Sequence, residues 1–149
     1  MAPVLLALLL AGPLPATAEP LAPAVAIQSA PRDIGVGDPL RRPLLDALRP
    51  AIEDDLGQPV QFMVDRLRVQ GDWAFFAGSV QRPDGRPIDF SRTRYAEAVE
   101  EGFFDGPGTY GLLRRVGGRW RAEGFFVGPT DAAYLSWPDE QGAPASLFE

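Results

Sequence analysis

The apolar positions of this chain fall into two periods, one helical and one alternating. Between positions 38 and 57, Leu40, Leu44, Leu45, Leu48, Ile52 and Leu56 recur on one helical face, while Arg41, Arg42, Arg49, Glu53 and Asp54 lie mostly elsewhere. The spacing predicts an amphipathic helix that must cover something. Asp38-Pro39 supplies a cap followed by a proline at the first helical position, with Arg42-Pro43 an equally good later start. Pro50 removes one internal hydrogen bond and predicts a kink, and Gly57 is placed to end the helix.

Beyond Gly57 the period shortens to two. Val60, Phe62 and Val64 alternate with polar neighbours, then the apolar phase slips to Leu67 and Val69, which predicts a β-bulge near Asp65-Arg66. A turn at Gln70-Gly71-Asp72 leads into a second strand, Trp73 to Val80. With a two-residue turn, Leu67, Val69, Ala74 and Phe76 share the face better suited to the core, and Arg66, Arg68, Trp73 and Phe75 share the other. Further on, two β-forming runs flank Gly117-Gly118, a strong signal for a tight hairpin because both central residues can take positive φ without a Cβ clash. That hairpin pairs Arg115 with Trp120 and Leu113 with Ala122, and the alternation continues its apolar face to Phe126. The opposite face carries Arg114, Arg119, Arg121 and Glu123 near the turn, and Tyr110, Leu112 and Phe125 farther from it. Its tip is expected to be solvated, and its base buried on both sides or against a partner. Val69 to Trp73 and Val116 to Trp120 have the same form, each running on to a Phe-Phe pair. An old duplication would produce such an echo, but two hairpins of similar geometry also select similar residues independently, and convergence is the favoured account.

Between the hairpins, Pro83-Asp84-Gly85 predicts a turn and Ile88-Asp89-Phe90 a short strand. Ser91 or Thr93 is placed to cap a short helix from Arg94 to Glu101, ended by Gly102 and docked by Phe103 and Phe104. After the second hairpin, Pro129-Thr130-Asp131 opens a last short helix, capped by Thr130 or Asp131 and stopped by Pro138. Leu147-Phe148 is expected to pin the tail.

The first residues add a destination. An apolar run from Val4 to Leu14 followed by Ala16-Thr17-Ala18 predicts a secretory signal peptide over residues 1–18, cut before Glu19, although no Lys or Arg precedes the run. Residues 19–37 are rich in Pro and Ala and read as a disordered linker, leaving residues 38–149 as a single domain. The chain has no cysteine, so no lipid anchor is expected at the cleavage site. The expected location is periplasmic or secreted, without a membrane anchor. All 14 basic residues are arginine, and Asn and His are absent, a skew typical of GC-rich bacterial coding. The net charge of −6 is the wrong sign for a general nucleic-acid or anionic-membrane binder.

The absences also bound the chemistry. Without His or Cys there is no Ser-His-Asp or Cys-His machinery, no thiol redox chemistry and no ordinary zinc site, so neither metal nor cofactor is expected. Ser79, Ser91 and Ser136 lack the Gly-x-Ser-x-Gly context and any lysine to activate them. Gly106 to Gly111 matches Gly-x-Gly-x-x-Gly, but it feeds a strand, so the helix end that would bind pyrophosphate is missing. Glu97, Glu100 and Glu101, like Asp54-Asp55, read as solvated faces. Asp131 or Asp105 with Tyr95 or Tyr110 is the acid-base set the sequence offers, provided that a cleft brings them together. Arg114, Arg115, Arg119 and Arg121 form a local basic patch beside Trp120, suited to a carboxylate, a phosphate or an acidic partner, and Arg92 and Arg94 are further binding candidates. The plainer alternative is that these arginines shield a hairpin tip and stack on the tryptophan.

A long amphipathic helix followed by a hairpin-built antiparallel sheet resembles the cystatin-like and NTF2-like α+β folds, in which a curved sheet wraps a helix. The strings Gly71-Asp72-Trp73-Ala74-Phe75 and Leu112 to Trp120 look like those of small exported bacterial proteins of unknown function. The resemblance covers Leu40 to Trp137. It implies an amphipathic helix packed on a curved antiparallel sheet of about four strands built from two hairpins, with short helices in the connection and near the C-terminus. Gln58-Pro59-Val60-Gln61-Phe62 lacks the glycine of the cystatin inhibitory loop, so protease inhibition is not implied. The expected function is a non-catalytic binding module for a protein or envelope ligand. The alternative is a small NTF2-like enzyme using an Asp/Tyr acid-base pair.

Overall fold

The computed structural model describes residues 29–149. The signal peptide expected over residues 1–18, and the linker as far as residue 28, lie outside the described residues. The fold is α+β, with a five-stranded antiparallel sheet that does not close, in the order β1 (Arg32–Asp33), β2 (Gln61–Gln70), β3 (Trp73–Gln81), β4 (Gly108–Val116) and β5 (Arg119–Val127). Three helices accompany it: α1 (Arg41–Leu56), α2 (Ala96–Glu101) and α3 (Trp137–Gln141). The fifth strand corrects the expected count of four. It comes from the expected linker: Arg32 and Asp33 pair with Val69 and Arg68, and Ile34 donates its N–H to the Leu67 carbonyl at 2.7 Å and buries its side chain. The open edge of β2 offers backbone partners that two extended residues satisfy, and two residues are too few to show a period.

The first turn of α1 is set by Asp38, whose Oδ1 accepts the Leu40 N–H at 2.9 Å while its carbonyl accepts the Arg41 N–H at 3.0 Å. Helical geometry therefore begins at Arg41, between the two starts read from the sequence. The Leu40 hydrogen bond, and then Arg32 beside it, holds the Asp38 carboxyl below the usual carboxylate range. Leu44, Leu48, Ile52 and Leu56 of α1 are buried. Gly57 closes the helix at φ 62°, where its N–H reaches the Glu53 carbonyl.

Both hairpins have two-residue turns. Gly117 and Gly118 both have positive φ, as a type I′ turn demands, whereas at Gly71-Asp72 only the glycine does, as in type II′. The register of β4 and β5 pairs Arg115 with Trp120 and Leu113 with Ala122. In β2 the pairing shifts between Val64 and Arg66, so Asp65 is the extra residue and Leu67 and Val69 return to the face of Phe62. A second bulge corrects the sequence reading of β5. Leu113 pairs with Ala122 but Leu112 with Gly124, leaving Glu123 unpaired. The faces beyond it exchange: Phe125, not Phe126, joins the core under α1, and Phe126 packs on the other side.

The sheet is therefore buried on both faces. On one, α1 covers Leu67, Ala74, Phe76, Leu113 and Val127. On the other, Phe75 and Leu112 are covered by the C-terminal segment through Trp137, Ala143, Leu147 and Phe148. Phe75 lies on the hairpin face less suited to the core, yet it is only 1 % exposed, because Phe148 meets it edge-on at 5.0 Å and Tyr134 lies 5.1 Å away. Burying such an aromatic side chain contributes about 1.5–3 kcal/mol. Arg66 and Arg68 hold the same segment by donating to the carbonyls of Leu147, Phe148 and Glu149.

The connection also departs from expectation. Ile88 is buried without being in a strand, and Asp89 instead caps a 3-10 turn over Phe90–Arg92 by accepting the Ser91 N–H at 3.2 Å. Thr93 accepts the Tyr95 N–H at 3.1 Å ahead of α2, which begins at Ala96 and ends at Gly102. Of the two phenylalanines that follow, Phe104 docks against Phe90 and Tyr95, while Phe103 is 71 % exposed. Neither Thr130 nor Asp131 caps the final helical turns, which start at Ala133 as a 3-10 turn. Pro138 does not stop them but sits in the first turn of α3, where its missing N–H is not needed.

Candidate functional site

Because the strands follow one another in sheet order, the turns of both hairpins project from the same end of the sheet. Trp73 pairs with Arg114 there, and Asp72 ties the two turns together. Its carbonyl accepts the Arg115 N–H at 2.7 Å, and its Oδ1 accepts from Arg115 Nε at 2.8 Å with Nη2 also at 2.8 Å. Beside this pin lies a cleft of about 560 Å³, lined by Gln70, Gly71, Trp73, Arg114, Val116 and Pro144.

The two arginines of β4 do different work. Arg115 is neutralised by Asp72 and lies over Trp120, 5.6 Å from the ring centroid, on the α1 side of the sheet. Arg114 lies over Trp73 on the opposite side, 5.0 Å from the centroid, and among the described residues it makes no ion pair within 4 Å. It pairs directly with Arg121, and Arg119 pairs with Val116 on the same face. Like charges directly opposite one another cost stability, so this end of the outer face holds uncompensated positive charge. In the cleft wall Gln70 is 6 % exposed. Its Oε1 accepts from Ser146 Oγ at 2.9 Å, and its Nε2 has no hydrogen-bond partner among the described residues. Donors thus outnumber acceptors, and the stacked Trp73 ring adds an apolar wall. The arrangement can hold an acidic group against a flat surface.

The acid-base candidates fall elsewhere and apart. Tyr95 packs in the core under α1, and Tyr110 belongs to the opposite core, 4.5 Å from Tyr134. Asp105 and Asp131 are exposed, and neither hydrogen-bonds to either tyrosine. Tyr95 instead donates to Asp55 Oδ2 at 2.6 Å, while Arg94 pairs with Asp55 Oδ1 at 2.7 Å and donates to the Tyr95 hydroxyl at 3.0 Å. This closed set ties the connection before α2 to the last turn of α1, and it accounts for Arg94. Burial, and then the hydrogen bond to Asp55, pushes the Tyr95 hydroxyl up to about 12. A raised folded-state value means that the stabilisation is complete below about pH 10, where an unfolded tyrosine titrates, and is lost as pH rises through about 12. In alkaline unfolding curves Tyr95→Phe is expected to remove that part of the decline and to cost about 1 kcal/mol at neutral pH. An unchanged alkaline slope would show that Tyr95 does not control it.

The sequence singles out Arg114 but not Trp73 and Gln70 beside it, and the structure sets Tyr95 against Asp55 rather than Asp105 or Asp131. The repeated Gly-x-Trp turns were the available signal for the cleft, since consecutive antiparallel hairpins place their turns at one end. Arg92 lies at the other end of the sheet, on the wall of a separate cleft. Among the described residues there is no group of three or more His, Cys, Asp or Glu side chains that could hold a metal ion, and no helix is long and apolar enough to cross a membrane. Compared with known proteins, the chain matches no family model, no curated protein and no solved structure.

Proposed function

We propose that this protein is an exported, non-catalytic binding module of cystatin-like architecture that takes an acidic partner at the paired hairpin turns. One observation carries the reading: the Arg114 guanidinium rests on Trp73 at the wall of a cleft, without a counter-ion among the described residues and directly across from Arg121. Two directly opposed arginines cost the hairpin stability, and an acidic ligand relieves their repulsion on binding. Export to the periplasm or beyond is supported by the apolar run and small-x-small site at the start of the chain. The architecture is supported by α1 lying against a sheet of consecutive antiparallel strands.

The test places a photo-crosslinking residue at Val116, which lines the cleft and is 45 % exposed. In the envelope fraction of the parent cell this probe is expected to give a discrete adduct. The adduct should be lost when Trp73→Ala and Arg114→Gln are combined in a chain that stays folded by circular dichroism. An adduct of equal yield in the folded double variant would remove the hairpin turns from consideration.

A further inference from the structure

At the end of the sheet where Gln61 pairs with Gln81, opposite the paired turns, the chain forms a second cleft of about 510 Å³. Gln58, Pro59, Arg82, Asp84, Arg86 and Arg92 line it, so three arginines and one carboxylate meet around one space. Gln58 fixes the frame. Its Nε2 donates to the Asp89 carbonyl at 2.9 Å, and its Oε1 accepts the Asp89 N–H at 3.0 Å and Arg82 Nη2 at 3.4 Å. Arg82 is half-buried and oriented by that amide. Arg86 is engaged by Asp84, Nε to Oδ2, at 2.7 Å.

Two of the three guanidiniums remain unspent. Arg82 and Arg92 make no ion pair within 4 Å among the described residues. Asp89 feels both at longer range, but its Oδ1 accepts the Ser91 N–H at 3.2 Å and the Ser91 hydroxyl at 2.5 Å. Asp84 is thus paired with Arg86 and Asp89 is turned to Ser91, which leaves three guanidiniums against two carboxylates around the cleft. The C-terminal end of α1 would repel an anion, and here Gln58 Nε2 also reaches the Leu56 carbonyl at 3.4 Å. A carboxylate has two coplanar oxygens and suits one guanidinium fork. A tetrahedral anion offers oxygens in several directions and can meet forks arriving from positions 82 and 92 together.

We propose that this cleft is a binding site for a phosphate-class anion, held by Arg82 and Arg92 on a frame set by Gln58. It is separate from the acidic-partner site at the hairpin turns, and Pro59 and Pro83 give any organic portion of the ligand an apolar wall.

The experiment titrates the full chain with inorganic phosphate in a calorimeter, with succinate in parallel. Saturable phosphate binding is expected, with weaker binding of succinate. Arg82→Gln combined with Arg92→Gln should weaken phosphate binding at least about tenfold. Arg42→Gln, at an exposed arginine outside both clefts, should leave it unchanged, whereas loss of phosphate binding in Arg114→Gln would place the anion at the hairpin turns and overturn the proposal. Arg92→Gln alone alters an exposed side chain that makes no ion pair among the described residues, so it keeps the fold and still weakens binding if the double variant cannot be made. The proposal is overturned by absence of saturable phosphate binding in the wild-type chain, by equal affinity for succinate, or by undiminished phosphate binding in folded Arg92→Gln.

Discussion

Trp137→Ala is expected to destabilise the protein by about 3–5 kcal/mol, a large share of the roughly 5–15 kcal/mol that holds an ordinary domain together. The indole is 2 % exposed, stacks on Phe126 at 5.2 Å with an interplanar angle of 13°, and meets Phe75 edge-on at 6.4 Å. Gly124 faces the indole, and a β-carbon there would stand in ordinary contact with it, 3.5 Å from Nε1. Removing the ring therefore opens a cavity at the junction of β3, β4, β5 and α3 that no neighbouring side chain is free to fill. Equilibrium urea denaturation reads the cost. A loss below about 1 kcal/mol would mean that the C-terminal segment is not part of the core.

Gly78→Ala is expected to cost about 3 kcal/mol, although it adds a single methyl group to a strand. A β-carbon at this position would overlap the Met63 carbonyl oxygen and crowd the Phe76 ring. Gly78 pairs with Val64, next to the extra residue Asp65, where the bulged strand swings its backbone toward β3. A flexible side chain could step aside, but a carbonyl cannot move without breaking the ladder. By contrast, Gly111→Ala would press on the Leu48 methyl carbons, the nearest at 2.6 Å, which are side-chain atoms. The Gly78 variant should therefore be the less stable of the two by thermal unfolding, and the reverse order would place the bulge elsewhere.

The sequence shows structure wherever a local signal is strong. Gly117-Gly118 fixes the register of β4 and β5 near the turn, and the slip from Val64 to Leu67 marks the first bulge because apolar residues stand on both sides of it. The second bulge leaves no such mark. Ala122, Gly124 and Phe126 read as unbroken alternation, since Gly124 has no side chain to show which face it occupies. Strand β1 is too short to carry a period. The apolar residues of the tail are visible in the sequence, but the face they cover depends on contacts with strands far away along the chain. The same limit applies to the candidate site. Arg114 could be placed from its own hairpin, whereas Trp73 comes from another, joined to it only through the long connection between Gln81 and Gly108. Tyr95 and Asp55 are likewise brought together by tertiary packing.

The bulge at Glu123 also bears on how these molecules behave when crowded together. β5 is the outer strand of an open sheet, and the outward-facing backbone groups of a regular nine-residue strand would serve as a template on which another chain could grow. Glu123 breaks that row of donors and acceptors near its middle, and Arg119 and Arg121 place exposed positive charge along its first half. An identical strand laid alongside would lose hydrogen bonds at the bulge and bring arginines near arginines over much of its registers. Irregularity at this edge is thus a safeguard against fibrous assembly, written into the same strand that carries the positive face.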